Sequence, residues 1–177
     1  MKVFIAGPRA ISKLNSEARK RIDNIIDGGY TILIGDANGI DKAVQQYCTE
    51  KKYDNVKVFA SNGKARNNIG LWDVVKVEID SSTKGFDFYA AKDLAMAKEA
   101  DYGFMIWNGK SKGTFNNIIN ITLLDKKVLV YYTPDKAFYA LKSLDSVEDL
   151  LRKTDDTTVK NFFIERVSKN SQIELSL

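Results

Sequence analysis

Apolar residues in this chain fall into short continuous runs separated by helical stripes. Val3 to Ala6, Thr31 to Ile34, Val56 to Phe59, Tyr102 to Trp107 and Lys127 to Tyr132 have the length and composition of buried strands. Between them, Ala18, Ile22, Ile25 and Ile26 share one helical face, which Gly28 and Gly29 terminate. Ile40, Ala43, Val44, Tyr47 and Cys48 make a second face. Ala91, Leu94 and Ala95 make a third, behind Asp87 as the expected N-cap, and Phe115 to Leu124 a fourth. Trp72 to Ile79 alternates in part and predicts an added strand. Apolar strands alternating with helices call for a parallel sheet covered on both faces. The expected fold is α/β: a Rossmann-like three-layer sandwich with a mostly parallel sheet of about five strands, plus C-terminal helices.

Pro134 predicts a boundary between a sheet domain over residues 1–134 and a helical appendage over residues 135–177. In the appendage, Leu141, Leu144, Val147, Leu150 and Leu151, then Val159, Phe162, Phe163 and Val167, read as two apolar stripes. Such stripes either pack on the core or form a seam between two copies in a homo-oligomer, and core packing is the commoner use. The polar stretch from Ala60 to Gly70 reads as a mobile surface loop.

Composition narrows the chemistry. The chain has 177 residues, no histidine and one cysteine, Cys48, which removes a histidine-based hydrolase, a disulfide framework and a structural zinc site. No metal and no cofactor is expected, nor any membrane span or signal peptide; a cytoplasmic protein is the simple reading. Net charge is +4, with seven basic and eight acidic residues from Asp135 onward, so the first 134 residues carry +5. That leans toward an anionic ligand. No clustered basic stripe runs along the sequence, and no nucleic acid is expected as a partner.

Three loops leave carboxyl ends of predicted strands, where open parallel sheets bind ligands. Gly7 lets the chain turn away and Arg9 is a candidate for a phosphate or carboxylate. Gly35 and Gly39 permit backbone approach or positive φ, and Asp36 and Asn38 are candidates for ribose hydroxyls or a base edge, against plain turn duty. Asp41 suits the start of the second helix, where capping is its ordinary role. Ser111, Gly113 and Thr114 open a helix and are the strongest anion candidates, with Lys110 and Lys112 adding charge. Trp107 either closes the pocket by stacking or packs at the strand end. Gly109-Lys110-Ser111 is not the end of a Walker A loop, because the earlier glycine would fall at Phe104, inside a strand.

Taken together, A-G-P-R at Ala6 to Arg9, I-G-D-A-N-G-I-D at Ile34 to Asp41, K-D-L-A-M-A-K-E-A-D at Lys92 to Asp101 and W-N-G-K-S-K-G-T at Trp107 to Thr114 resemble the SLOG superfamily. The resemblance is to its branch of small YspA- and YpsA-related Rossmann-like domains and covers Met1 to Tyr132. It implies binding of a nucleotide or nucleotide derivative, with Gly35, Asp36, Asn38, Gly39 and Asp41 as one binding loop and Ser111, Gly113 and Thr114 as the other. Nucleoside deoxyribosyltransferases and cytokinin-activating phosphoribohydrolases are more distant look-alikes. Their glutamate would fall at Asn117, where an amide can hold a ribose hydroxyl but cannot act as nucleophile or base. Asp36, Asp41, Asp93 and Glu99 are the carboxylates that could substitute.

The leading expectation is a binding protein, not an enzyme, that senses or sequesters a nucleotide-like small molecule such as an ADP-ribose- or NAD-related signal. The alternatives are an enzyme acting at the N-glycosidic bond of a nucleotide and a non-catalytic interaction protein.

Overall fold

Alternation along each strand sends neighbouring side chains to opposite sides of one sheet. In β1 (Lys2–Ala6), Val3 and Ile5 join one buried cluster while Phe4 and Ala6 join another. The computed structural model describes residues 1–175, with side chains described through residue 169. After β1 come α1 (Ser16–Asp27), β2 (Thr31–Gly35), α2 (Ile40–Glu50), β3 (Val56–Ser61) and β4 (Val74–Val77). Then follow α3 (Gly85–Glu99), β5 (Tyr102–Trp107), α4 (Lys112–Leu123), β6 (Val128–Tyr132), β7 (Ala137–Leu141), α5 (Leu144–Leu151) and α6 (Thr157–Leu175).

The strands form one seven-stranded sheet in the order β4-β3-β2-β1-β5-β6-β7. β1 to β6 are parallel and β7 is antiparallel to β6. α1 and α2 cover one face, packing Ala18, Ile22, Val44 and Cys48 on Val3, Ile5, Ile32 and Ile34. α3 and α4 cover the other, with Met96, Phe115, Ile118 and Ile119 on Phe4, Leu33, Met105 and Trp107. This is the expected three-layer α/β sandwich.

Three local expectations differ. The sheet has seven strands instead of about five, because β4 joins as the added strand and β7 forms in the segment read as helical. Ala137–Leu141 has alternate residues half-buried and exposed, and its Phe138 ring packs 4.9 Å from that of Tyr131. α3 begins at Gly85, two residues before Asp87, so Asp87 lies in the first turn instead of capping it. Within the chain, Val147, Leu150 and Leu151 of α5 and Val159 and Phe163 of α6 are buried in the same cluster as α4.

The turn into α2 depends on Gly39. Its φ is +82°, and a Cβ there would lie 2.5 Å from Arg9 Cα and from the carbonyl oxygens of Pro8 and Arg9. Pro8 O also accepts the Ile40 N–H at 3.2 Å, so the loops after β1 and β2 touch through backbone. Gly39→Ala is expected to lower stability by at least about 2 kcal/mol, combining left-handed strain with the clash. Urea unfolding checks this; a loss below about 0.5 kcal/mol, the range of indifferent surface changes, would contradict the close approach.

Candidate functional site

The strand order reverses between β1 and β5: the chain leaves β1 toward β2 and leaves β5 toward β6. Loops diverging from two adjacent strand tips open a crevice there. The crevice is a cleft of about 610 Å3 between the loops after β1 and β5, the start of α4 and one face of α3.

Its cationic side is built on α4. Ser111 is the N-cap: its Oγ accepts the Thr114 N–H at 3.3 Å and lies 3.0 Å from Thr114 Oγ1. Asn108 Oδ1 accepts the N–H groups of Lys110 and Ser111 at 3.1 and 2.9 Å, which fixes the approach to the helix. Ser111 O accepts from Phe115 N, so the N–H groups of Lys112 and Gly113 are the ones at the helix start without an intrahelical acceptor. Gly113 has open space where a side chain would stand, so a ligand can reach that backbone. Arg9, Lys110 and Lys112 line the same cleft. Arg9 lies over the Tyr89 ring at 4.7 Å and Lys112 over the Phe86 ring at 4.3 Å, which places exposed aromatic faces beside the cations.

The opposite side is acidic and deep. Lys92 of α3, 3% exposed, donates to Asp36 Oδ1 at 2.8 Å. Arg66 holds the same carboxylate through its backbone N–H (3.0 Å), Nε (3.1 Å) and Nη2 (2.8 Å). Burial alone would raise the Asp36 carboxyl, but the hydrogen bonds from Arg66 and Lys92 outweigh it and hold the group well below the usual carboxylate range. Asp41, on the first turn of α2, accepts the Ala37 N–H at 3.2 Å. Burial pushes its carboxyl up to about 7, with Lys92 offsetting part of the shift and Asp93 adding to it. Burial also raises the Asp93 carboxyl, offset in part by Lys92 and by Asn117, whose Nδ2 donates to Asp93 Oδ2 at 3.1 Å. Asn117 is 3% exposed, and its Oδ1 meets no hydrogen-bond donor among the described residues.

The fold thus brings Gly7, Arg9, Asp41, Ser111, Lys112, Gly113, Thr114 and Asn117 to one cleft. Five expected positions serve beneath or beside it instead, Gly39 by making the turn into α2 against the loop after β1. Asp36 is buried in its ion pairs, so the role suggested for it at ribose or base is taken by protein partners; Asn38 is exposed outside the cleft lining, its Oδ1 accepting from Asn67 Nδ2 at 3.1 Å. Gly35 is extended; it leaves room for the Asp41 carboxylate and Lys92. Trp107 does not close the pocket: it is fully buried, stacks on Phe115 at 5.0 Å and donates from Nε1 to Ser111 O at 3.1 Å, bracing the loop from below. Glu99 sits at the far end of α3, paired with Lys2 and Lys57.

Sequence reasoning passed over Arg66, Lys92, Asn108, Tyr89 and Thr154. Lys92-Asp93 inside the apolar stretch Ala90 to Ala97 was a readable signal, because a charged pair amid core positions needs partners. Thr154, between α5 and α6, had none; its Oγ1 donates to Gly109 O at 2.9 Å and ties that linker to the cationic loop. The loop after β3, read as mobile, is held by Arg66 on Asp36, by Asn67 Nδ2 on Asp36 O at 2.8 Å, and by the Gln45 side chain on Asn67 O and Ile69 N.

Among the described residues no group of three or more histidine, cysteine, aspartate or glutamate side chains could hold a metal ion, and no helix is long and apolar enough to cross a membrane. No family model and no curated protein matches the sequence. The chain is similar to a solved structure of DNA processing protein A from Helicobacter pylori, described for its mode of single-stranded DNA binding. The TM-score is 0.57 at 14% identity, over 96% of this chain and 81% of that one. The expectation of no nucleic-acid partner is corrected by this neighbour, which binds single-stranded DNA. That expectation rested on the lack of a basic stripe in sequence, whereas Arg9, Lys110 and Lys112 meet only in the fold. At this identity the likeness is one of fold: the chain is a Rossmann-like α/β protein.

Proposed function

We propose that this protein is a non-catalytic binding protein whose switch-point cleft takes the phosphate and sugar of a nucleotide, either free or within a single strand. The carrying observation is the start of α4, where the Lys112 and Gly113 N–H groups stand beside Arg9, Lys110 and Lys112. The helix dipole and these cations favour a phosphate over a neutral ligand. Tyr89 and Phe86 hold Arg9 and Lys112 at the cleft by packing their rings against the two cations. The SLOG resemblance supports a nucleotide-type ligand, and the single-stranded DNA binding of DNA processing protein A supports the polymer as one form of it. An amide at position 117, where the distant look-alike enzymes carry glutamate, supports binding over turnover.

The test is titration of the full chain with AMP, with inorganic phosphate and with a fluorescent single-stranded oligonucleotide. Arg9→Ala with Lys112→Ala is expected to weaken whichever form binds by at least about tenfold, the effect of one lost charge-assisted contact at about 1.4 kcal/mol. Absence of binding by all three at millimolar concentration overturns the reading, as does unchanged affinity in the double variant. Free base released from AMP, seen by chromatography, would move the assignment to an enzyme.

A further inference from the structure

We infer that the free edge of β4 joins the same edge of a second copy of this chain, antiparallel about a two-fold axis at Val77, so that two sheets run on as one. β4 ends the strand order, and among the described residues no strand pairs with its outer side. The join lies away from the cleft lining and stands whether or not the phosphate reading does.

The backbone decides which residues can pair. Asp73 O accepts the Val58 N–H at 3.0 Å and Val77 O accepts the Asn62 N–H at 2.9 Å, so the odd-numbered residues turn their polar backbone groups toward β3. Alternation turns those of Val74, Lys76 and Glu78 outward. Asn62 Oδ1 takes the Ile79 N–H at 3.1 Å, so the same alternation continues past Val77. Because an outward residue pairs only with an outward one, a two-fold axis must fall on a residue. With the axis at Val77, Lys76 and the partner's Glu78 stand opposite each other as a hydrogen-bonded pair, and the reciprocal pair forms beyond the axis.

Charge selects this register. An axis at Lys76 or at Glu78 sets like charges face to face, and an axis at Val75 sets Lys76 against Val74. Only the axis at Val77 sets Lys76 against Glu78, and it does so twice. A lysine on an open edge ordinarily keeps other strands away; the glutamate two residues on lifts that barrier for one register alone. Both side chains are exposed and already meet at 2.7 Å within the chain, so across the join they make a cluster of alternating charge. On the other face Val75 and Val77 pack against the core cluster that α3 and α4 cover. The join sets Val75 against the partner's Ile79 and Val77 against the partner's Val77, extending that apolar layer from one copy into the next. Leu71 and Val74, 89% and 38% exposed, leave further apolar surface at this edge.

Analytical ultracentrifugation of the full chain from about 1 to about 100 µM is expected to show a dimer. Lys76→Glu and, separately, Glu78→Lys set like charges across both pairs and should raise the dissociation constant at least about tenfold. The double variant restores opposite charges and should return it to within about threefold of the natural chain, which also certifies that neither change unfolds the strand. Val77→Cys reads the register. Residues opposite each other in a non-hydrogen-bonded pair have Cα atoms about 4.5 Å apart, within disulfide range. The one natural cysteine, Cys48, is buried. Mild oxidation should therefore link Val77→Cys chains into a covalent dimer and leave Val74→Cys chains, whose position faces the partner's Asp80, unlinked. A monomer throughout the concentration range overturns the inference. So does a dimer indifferent to both single charge reversals, a double variant that stays dissociated, or a Val77→Cys chain that does not cross-link.

Discussion

Replacing Lys92 by methionine is expected to lower the free energy of unfolding by about 3–5 kcal/mol at pH 8, the usual cost of stripping one partner from a buried ionic group. Methionine keeps the length and much of the volume of the stem, so packing on α3 changes little. The ammonium is what goes. Lys92 Nζ lies 2.8 Å from Asp36 Oδ1, and its charge also offsets those of Asp41 and Asp93. Asp36 keeps Arg66 in the variant, but Asp41 and Asp93 lose the cation that balances their burial. In a domain of this size the melting temperature should fall by roughly 6–20 °C. The deficit should shrink toward pH 5, because Asp41 is then carried neutral. Urea unfolding at both pH values reads the effect; a deficit below about 1 kcal/mol at pH 8 would mean that Lys92 does not balance the cluster.

That cluster marks where sequence reading stopped. The strands β1, β2, β3, β5 and β6 and the faces of α1, α2 and α4 were legible because burial writes itself into apolar period. The helix-opening residues Ser111 to Thr114 were legible because a cap needs a short polar side chain followed by helical spacing. β7 was not, since an edge strand of only five residues with its alternate positions half-exposed carries almost no hydrophobic signal. The pairs that shape the cleft were not legible either. Asp36 meets Arg66 and Lys92 across 30 and 56 residues, and Asp93 meets Asn117 across 24. No local rule joins them; only the stacking of α3 against α4 and over the tip of β2 does. Trp107 shows the converse. An aromatic at a strand tip reads equally as lid or as core, and its stacking on Phe115 decides for core.

Asp41→Asn should stabilise the protein by roughly 2–4 kcal/mol at pH 8 and by less, roughly 1–2 kcal/mol, at pH 5. Burial holds the folded Asp41 carboxyl at about 7, above its ordinary value of 3.8. Between those values the folded chain keeps a proton that the unfolded chain has released, so unfolding free energy falls as pH rises, and the penalty is complete above about pH 7. Asp36 works in the opposite sense: its folded carboxyl is lowered, so its contribution is complete above 3.8 and is lost only in stronger acid. Asparagine at position 41 still offers an oxygen to the Ala37 N–H and removes the ionisation. Urea unfolding across pH 5 to 8 should therefore show a falling profile for the natural chain and a flatter one for the variant; parallel profiles would refute the assignment. The two substitutions must also couple, because Lys92 balances the very charge that Asp41→Asn deletes. In the Asp41→Asn background, Lys92→Met should cost less at pH 8 than it does alone, by more than the about 0.5 kcal/mol scatter of independent sites. Since Asp41 lines the cleft, its neutralisation below pH 7 also removes a negative charge facing the ligand, and phosphate affinity should rise as pH falls from 8 to 6.5 in the natural chain but much less in the variant.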